Sequence, residues 1–165
     1  MNVDTLRLLD RFIGVPLCWF FTLVRSLARL VQPEKALPAP HKVLIIKLSE
    51  MGSTVLAYPA LAELKKRCPE VELFFLVFKN NAAIIDVLDL TPSFKIIEVD
   101  INSTSRLMAS GLSAIRRLLR ERIDTTIDMD FFSRLTALIS FVICRGNRVG
   151  FHRYTSEGLY RGNLL

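Results

Sequence analysis

KVLIIKLSEMGS, residues 42–53, decides the fold. Its first seven residues, Lys42–Leu48, form a short apolar run rich in β-branched side chains, the signature of a strand buried on both faces. Ser49–Ser53 follows as a short polar loop around Gly52, and Thr54–Arg67 then reads as a helix closed by a basic last turn, which the helix dipole favours. A strand, a tight turn and a helix in that order open a β-α unit.

The same alternation runs on from there. Val71–Phe78 (VELFFLVF) reads as a second strand, Asn81–Leu90 as a short helix stopped before Pro92, and Phe94–Val99 (FKIIEV) as a third strand. Thr104–Glu121 has the clearest helical period: Leu107, Met108, Leu112, Ile115, Leu118 and Leu119 share a face, and Arg116, Arg117 and Arg120 face water. Ile123–Met129 is a fourth strand, Phe132–Ile143 a mostly buried helix, and Arg148–Phe151 a fifth strand. The expected architecture is α/β: a Rossmann-like parallel sheet covered on both sides. Ligands of such sheets bind beyond the carboxyl ends of the strands, which selects the loops Ser49–Ser53, Asp130–Ser133 and Phe151–Thr155.

Upstream, residues 4–31 read as one helix. Arg7, Arg11, Gly14, Cys18, Thr22, Arg25 and Arg29 recur at steps of three or four and form a narrow polar stripe on an apolar, aromatic surface, with Pro16 expected to bend it. The uncharged run Phe12–Val24 would be roughly 20 Å long against roughly 30 Å of hydrocarbon. An amphipathic helix lying in the membrane interface, its arginines meeting anionic lipid, fits better than a span. A helix packed on its own domain is the alternative. Pro33, Pro38 and Pro40 mark a linker, so residues 1–35 and 41–165 read as separate units. On that reading, removing residues 1–35 leaves a folded protein.

With 165 residues, 51% of them hydrophobic and 23% charged, the chain has enough apolar surface for a core and is not a disordered tail. Its net charge of +6 is spread along the sequence, which argues against a nucleic-acid tail. Cys18, Cys68 and Cys144 are too scattered for a disulfide framework or a zinc site, so neither metal nor cofactor is expected. The first loop lacks both the dinucleotide glycine fingerprint and a Gly-Lys-Ser/Thr phosphate loop. Gly52 allows a ligand close to the backbone, and Ser53 is placed to cap the helix.

KVLIIKLSEMGSTVLAYPALAEL, residues 42–64, resembles the opening of glycosyltransferase family 9, the lipopolysaccharide heptosyltransferases. IDMDFFSR, residues 127–134, and Arg148-Val149-Gly150-Phe151 are similar to two later blocks of that family. The resemblance covers about residues 42–155. It implies the N-terminal, acceptor-binding half of a two-domain GT-B enzyme. The implied reaction is transfer of a heptose from ADP-heptose to a lipid-linked core sugar at the inner face of the cytoplasmic membrane. The donor domain, which would hold ADP-heptose, is missing from these residues, so the chain is expected to be inactive alone, whether as a fragment or as one of two partners. The family's usual Gly-Asp is here Gly52-Ser53. A serine hydroxyl is no base at neutral pH, which leaves Glu50 as the candidate general base. Ser49, Met51, Gly52, Ser53, Asp130, Arg134, His152 and Arg153 are the acceptor-binding candidates. Lys47 is expected to reach out at the strand end, because an unpaired ammonium inside an apolar strand is costly. The alternative is a non-catalytic, membrane-associated binder of sugars or lipid headgroups.

Overall fold

The computed structural model describes residues 10, 12–31, 39–48, 51–90, 93–131, 133–144, 146–151 and 160–165. The elements are α1 (Gly14–Val31), β1 (Lys42–Ile46), α2 (Met51–Arg67), β2 (Glu72–Phe78), α3 (Ala83–Val87), β3 (Phe94–Val99), α4 (Thr104–Glu121), β4 (Thr125–Asp128), α5 (Arg134–Ile143) and β5 (Asn147–Gly150). The five strands form one sheet in the order β3-β2-β1-β4-β5, and every pairing is parallel. This is the expected α/β class, and all five strands lie where the apolar runs put them.

Burial explains the strand sequences. Central β1 and β2 are covered on both faces, so neither alternates. Val43, Ile45, Phe75 and Val77 pack with Ala57 and Leu61 on one side. Leu44, Ile46, Phe74 and Leu76 pack with Ala114 and Leu118 on the other. Edge strand β3 exposes Lys95 on one face and Glu98 on the other, and these put charge on an edge that would otherwise invite another strand. The chain runs outward from β1 to β3 and then returns to lay β4 on the opposite side of β1. The strand order therefore reverses between β1 and β4.

Three expectations change. Helix α2 starts at Met51, so Gly52 and Ser53 stand in its first turn, and Ser53 lies inside the helix rather than capping it. The apolar face of α4 is narrower than its sequence implies. Only Ala114 and Leu118 are buried, and Met108, Leu112 and Leu119 are 70%, 49% and 46% exposed. The third change concerns α1. Of its stripe of small and polar residues, Gly14, Cys18, Thr22 and Arg25 form the packing face, not an outward one; Arg7, Arg11 and the side chain of Arg29 lie outside the described residues. Cys18 is fully buried with Ala137 and Leu138 of α5 and with Leu164. Phe21 meets Phe141 at 5.2 Å. Thr22 Oγ1 accepts from the Asn163 amide at 2.9 Å, and Arg25 donates to the Asn163 carbonyl. Small side chains let the backbones approach: a Cβ on Gly14 would lie 3.0 Å from Arg134, and one on Gly162 would lie 2.8 Å from the Cys18 carbonyl. The broad apolar face is left outward, with Phe12, Trp19, Phe20 and Leu27 all more than half exposed. The helical run is broken by a turn at Ile13, three residues before Pro16, which has no N–H to donate. Among the described residues no helix is long and apolar enough to cross a membrane.

Candidate functional site

The crevice between β1 and β4, where the strand order reverses, is where a sheet of this kind binds its ligand. The pairing Ile46↔Asp128 brings both carboxyl ends to one level. Beyond it the two following loops are tied together by buried charge. Lys47 Nζ lies 2.9 Å from Asp130 Oδ1, and the Leu48 amide donates to Asp130 Oδ2 at 2.7 Å. From the other side Asn81 Nδ2 donates to the Leu48 carbonyl at 2.9 Å. Lys47 therefore does not reach out; it is 3% exposed, and its ammonium is compensated by a carboxylate from a neighbouring strand. The first loop thus leaves β1 from a fixed point.

A second buried pair adjoins the first. Arg161 Nη1 lies 3.3 Å from Asp128 Oδ2, and Arg161 also donates to the Asp130 carbonyl. Asp128 Oδ1 in turn accepts from the Asp130 amide at 3.0 Å. Burial raises the Asp128 carboxyl to about 6, against the opposing pull of Arg161. At the head of α5, Asp10 Oδ1 accepts from the amides of Arg134 and Leu135 at 2.8 and 3.1 Å. Its Oδ2 is 2.9 Å from Arg134 Nη1. Asp10 thus caps α5 from outside the helix, while the N-cap residue Ser133 makes no side-chain cap bond.

These contacts sort the candidate residues. Met51, Gly52 and Ser53 come together in the first turn of α2, facing the β1–β4 crevice by their place in the fold. A Cβ on Gly52 would meet nothing within 4 Å, so its backbone is open to a ligand. Asp130 and Arg134 are at the same edge, but both are buried and engaged within the protein, Arg134 also donating to the Tyr160 carbonyl at 3.0 Å. Their charges are met by partners within the protein. Ser49, Glu50, His152 and Arg153 lie outside the described residues.

Sequence reasoning missed Arg161, Asp10 and Asn81, whose partners are far away in the chain. It also passed over Phe131 and Phe151, which stack at 3.7 Å beside the loops after β4 and β5 and remain half exposed.

Solved structures match this arrangement. E. coli heptosyltransferase WaaC with ADP matches at a TM-score of 0.53 and 22% identity, over 67% of this chain and 35% of that one. WaaC with ADP-2-deoxy-2-fluoro heptose gives the same score and identity over 36% of its length. A family 9 glycosyl transferase from Veillonella parvula DSM 2008 matches at a TM-score of 0.57 and 13% identity, over 74% of this chain and 40% of that one.

The fold is that of glycosyltransferase family 9.

The family 9 fold is matched only in part, since the chain spans 35–40% of the length of these transferases. No protein-family model and no curated protein matches the sequence.

Proposed function

We propose that this chain is the acceptor-side half of a heptosyltransferase-like enzyme. In this reading it holds a lipid-linked lipopolysaccharide core sugar at the cytoplasmic face of the membrane, and a donor domain brings ADP-heptose. The observation that carries the proposal is the parallel sheet whose order reverses at β1–β4, with an open helix turn at Met51–Ser53, in a fold shared with transferases of this class. A helix N-terminus beyond a strand favours an oxygen-rich or anionic group. Glu50 is the proposed base, accepting the proton of the attacking sugar hydroxyl as the new glycosidic bond forms and ADP leaves. The outward aromatic face of α1 supports residence at the bilayer, where a lipid-linked acceptor is found.

Titration of the chain with a lipopolysaccharide core acceptor and, separately, with ADP-heptose tests this. Saturable binding of the acceptor and none of the nucleotide sugar is expected; the reverse preference overturns it. A second reading, a sugar- or headgroup-binding module without catalysis, is favoured by one observation. Asp128, the last residue of β4, and Asp130 beyond it are both sequestered in ion pairs. Kinetics of Glu50→Gln in the presence of a donor domain separate the two, because a base typically contributes about 10²–10⁴-fold.

A further inference from the structure

Helices α5 and α4 cover one side of the sheet, and α1 packs against α5. Asp10 and Gly14 meet Arg134, Cys18 meets Ala137 and Leu138, and Phe21 meets Phe141, so α1 and α5 run side by side in the same direction. Helix α4 shares the core of that side with Ile143 of α5. One flank of α4 faces the β3 edge, where Arg106 lies 3.7 Å from Asp100 and Ser110 Oγ accepts from the Asp100 amide at 3.0 Å. Met108, Leu112 and Leu119, spaced four and seven apart, occupy the opposite flank, towards α5. Leu135 and Val142 of α5 are exposed as well, and so is the aromatic face of α1, which packs on α5. Exposed apolar residues on three adjacent helices make a surface larger than scattered surface leucines, of the kind that marks an interaction site.

We propose that α4, α5 and α1 together form one docking face for an anionic lipid bilayer, with Arg116 and Arg120 of α4 as its basic rim. The proposal rests on the membrane-surface reading of α1 and extends it to a second, basic helix. Charge decides the partner. Both arginines are exposed, and among the described residues neither is paired with a carboxylate. Neither α1 nor α5 contains an acidic residue. The single acid of α4, Glu121, turns to Lys42 at 3.4 Å. A second copy of this face would offer apolar area but no anion. A nucleic acid would offer anions but nothing for the leucines. A bilayer containing acidic lipid supplies both, headgroups to the arginines and acyl chains to the apolar flank.

Co-sedimentation of the full chain with phosphatidylcholine vesicles, with and without phosphatidylglycerol, tests the proposal. Three double variants are compared: Arg116→Glu with Arg120→Glu, Leu112→Gln with Leu119→Gln, and Trp19→Ser with Phe20→Ser. All six positions are exposed, and unchanged circular dichroism checks the fold. Each basic residue near an anionic surface is worth about fivefold in binding, so the arginine pair should weaken association with acidic vesicles at least about tenfold. The leucine pair should weaken it too. Wild-type binding by both α4 variants, with loss only in the α1 variant, overturns the proposal and leaves the α1 reading standing. No vesicle binding by the wild-type chain overturns both. A dimer in solution that the leucine variant dissociates assigns the face to a second copy and overturns the bilayer.

Discussion

Asp128 shows most directly how a single residue in this protein carries a measurable pH signature. Its carboxyl stands at about 6 in the folded chain against 3.8 for an ordinary aspartate, because burial penalises the charged form more than Arg161 favours it. A raised acid pKa means that the native state binds the extra proton. The contribution to stability is therefore complete below about pH 4 and is lost as pH rises through about 6. The difference corresponds to about 3 kcal/mol at most. In urea unfolding, wild type should lose stability relative to Asp128→Asn between those limits. Parallel pH profiles for the two would refute the assignment. Gly52 makes the second prediction at this scale. It stands in a helical turn with no neighbour for a Cβ, so Gly52→Ala should raise stability by up to about 1 kcal/mol. If a ligand approaches the backbone there, acceptor affinity should fall at the same time. Unchanged affinity would remove Gly52 from the site.

At the scale of elements, α1 and α5 depend on each other. Asp10 caps α5 and pairs with a buried guanidinium, so Asp10→Ala should cost at least about 2 kcal/mol, while Ser133→Ala should be nearly neutral. The reverse ranking in thermal melts would return the cap to Ser133. The expectation that residues 1–35 can be removed from a folded protein changes as well. Their removal would uncover Ala137, Leu138 and Leu164 and strip Arg134 of its partner. Gly162 probes the same contact from the other side. Its φ of 62° and the proximity of Thr22 and the Cys18 carbonyl leave no room for a methyl group. Gly162→Ala should cost about 1–3 kcal/mol and loosen α1, with the emission of Trp19, the only tryptophan, as an independent readout.

For the molecule as a whole, the decisive quantity is how much of the matched transferases the chain spans. The chain spans 35% of WaaC, which binds ADP, and transfer needs donor and acceptor aligned across a cleft. The purified 165-residue chain is therefore expected to transfer no heptose from ADP-heptose by itself. A radiolabel assay in which it does so would show that both substrates find sites within these residues. Activity that appears only when a donor domain is added would support the acceptor-side role.

What the sequence by itself determined was everything governed by local pattern. The continuous apolar runs KVLII and ELFFLVF could only be doubly buried strands, and FKIIEV, with two charges within it, could only be a less protected one. The interval between them fixed a parallel sheet. The bounds of α4 followed from its period, and the structure adds its cap, Ser103, whose side chain accepts from the Arg106 amide at 3.2 Å. Tertiary structure alone decided which faces those elements show. A period of 3.6 cannot say whether an apolar stripe meets a core or a bilayer, and so Met108, Leu112 and Leu119 were read inward. Small residues read as a polar stripe because their value is in permitting close approach, which exists only once a partner helix is there. The charges at the carboxyl edge were illegible for the same reason. Lys47 and Asp130 stand 83 positions apart and Asp10 and Arg134 stand 124 apart, and no local window contains both members of either pair.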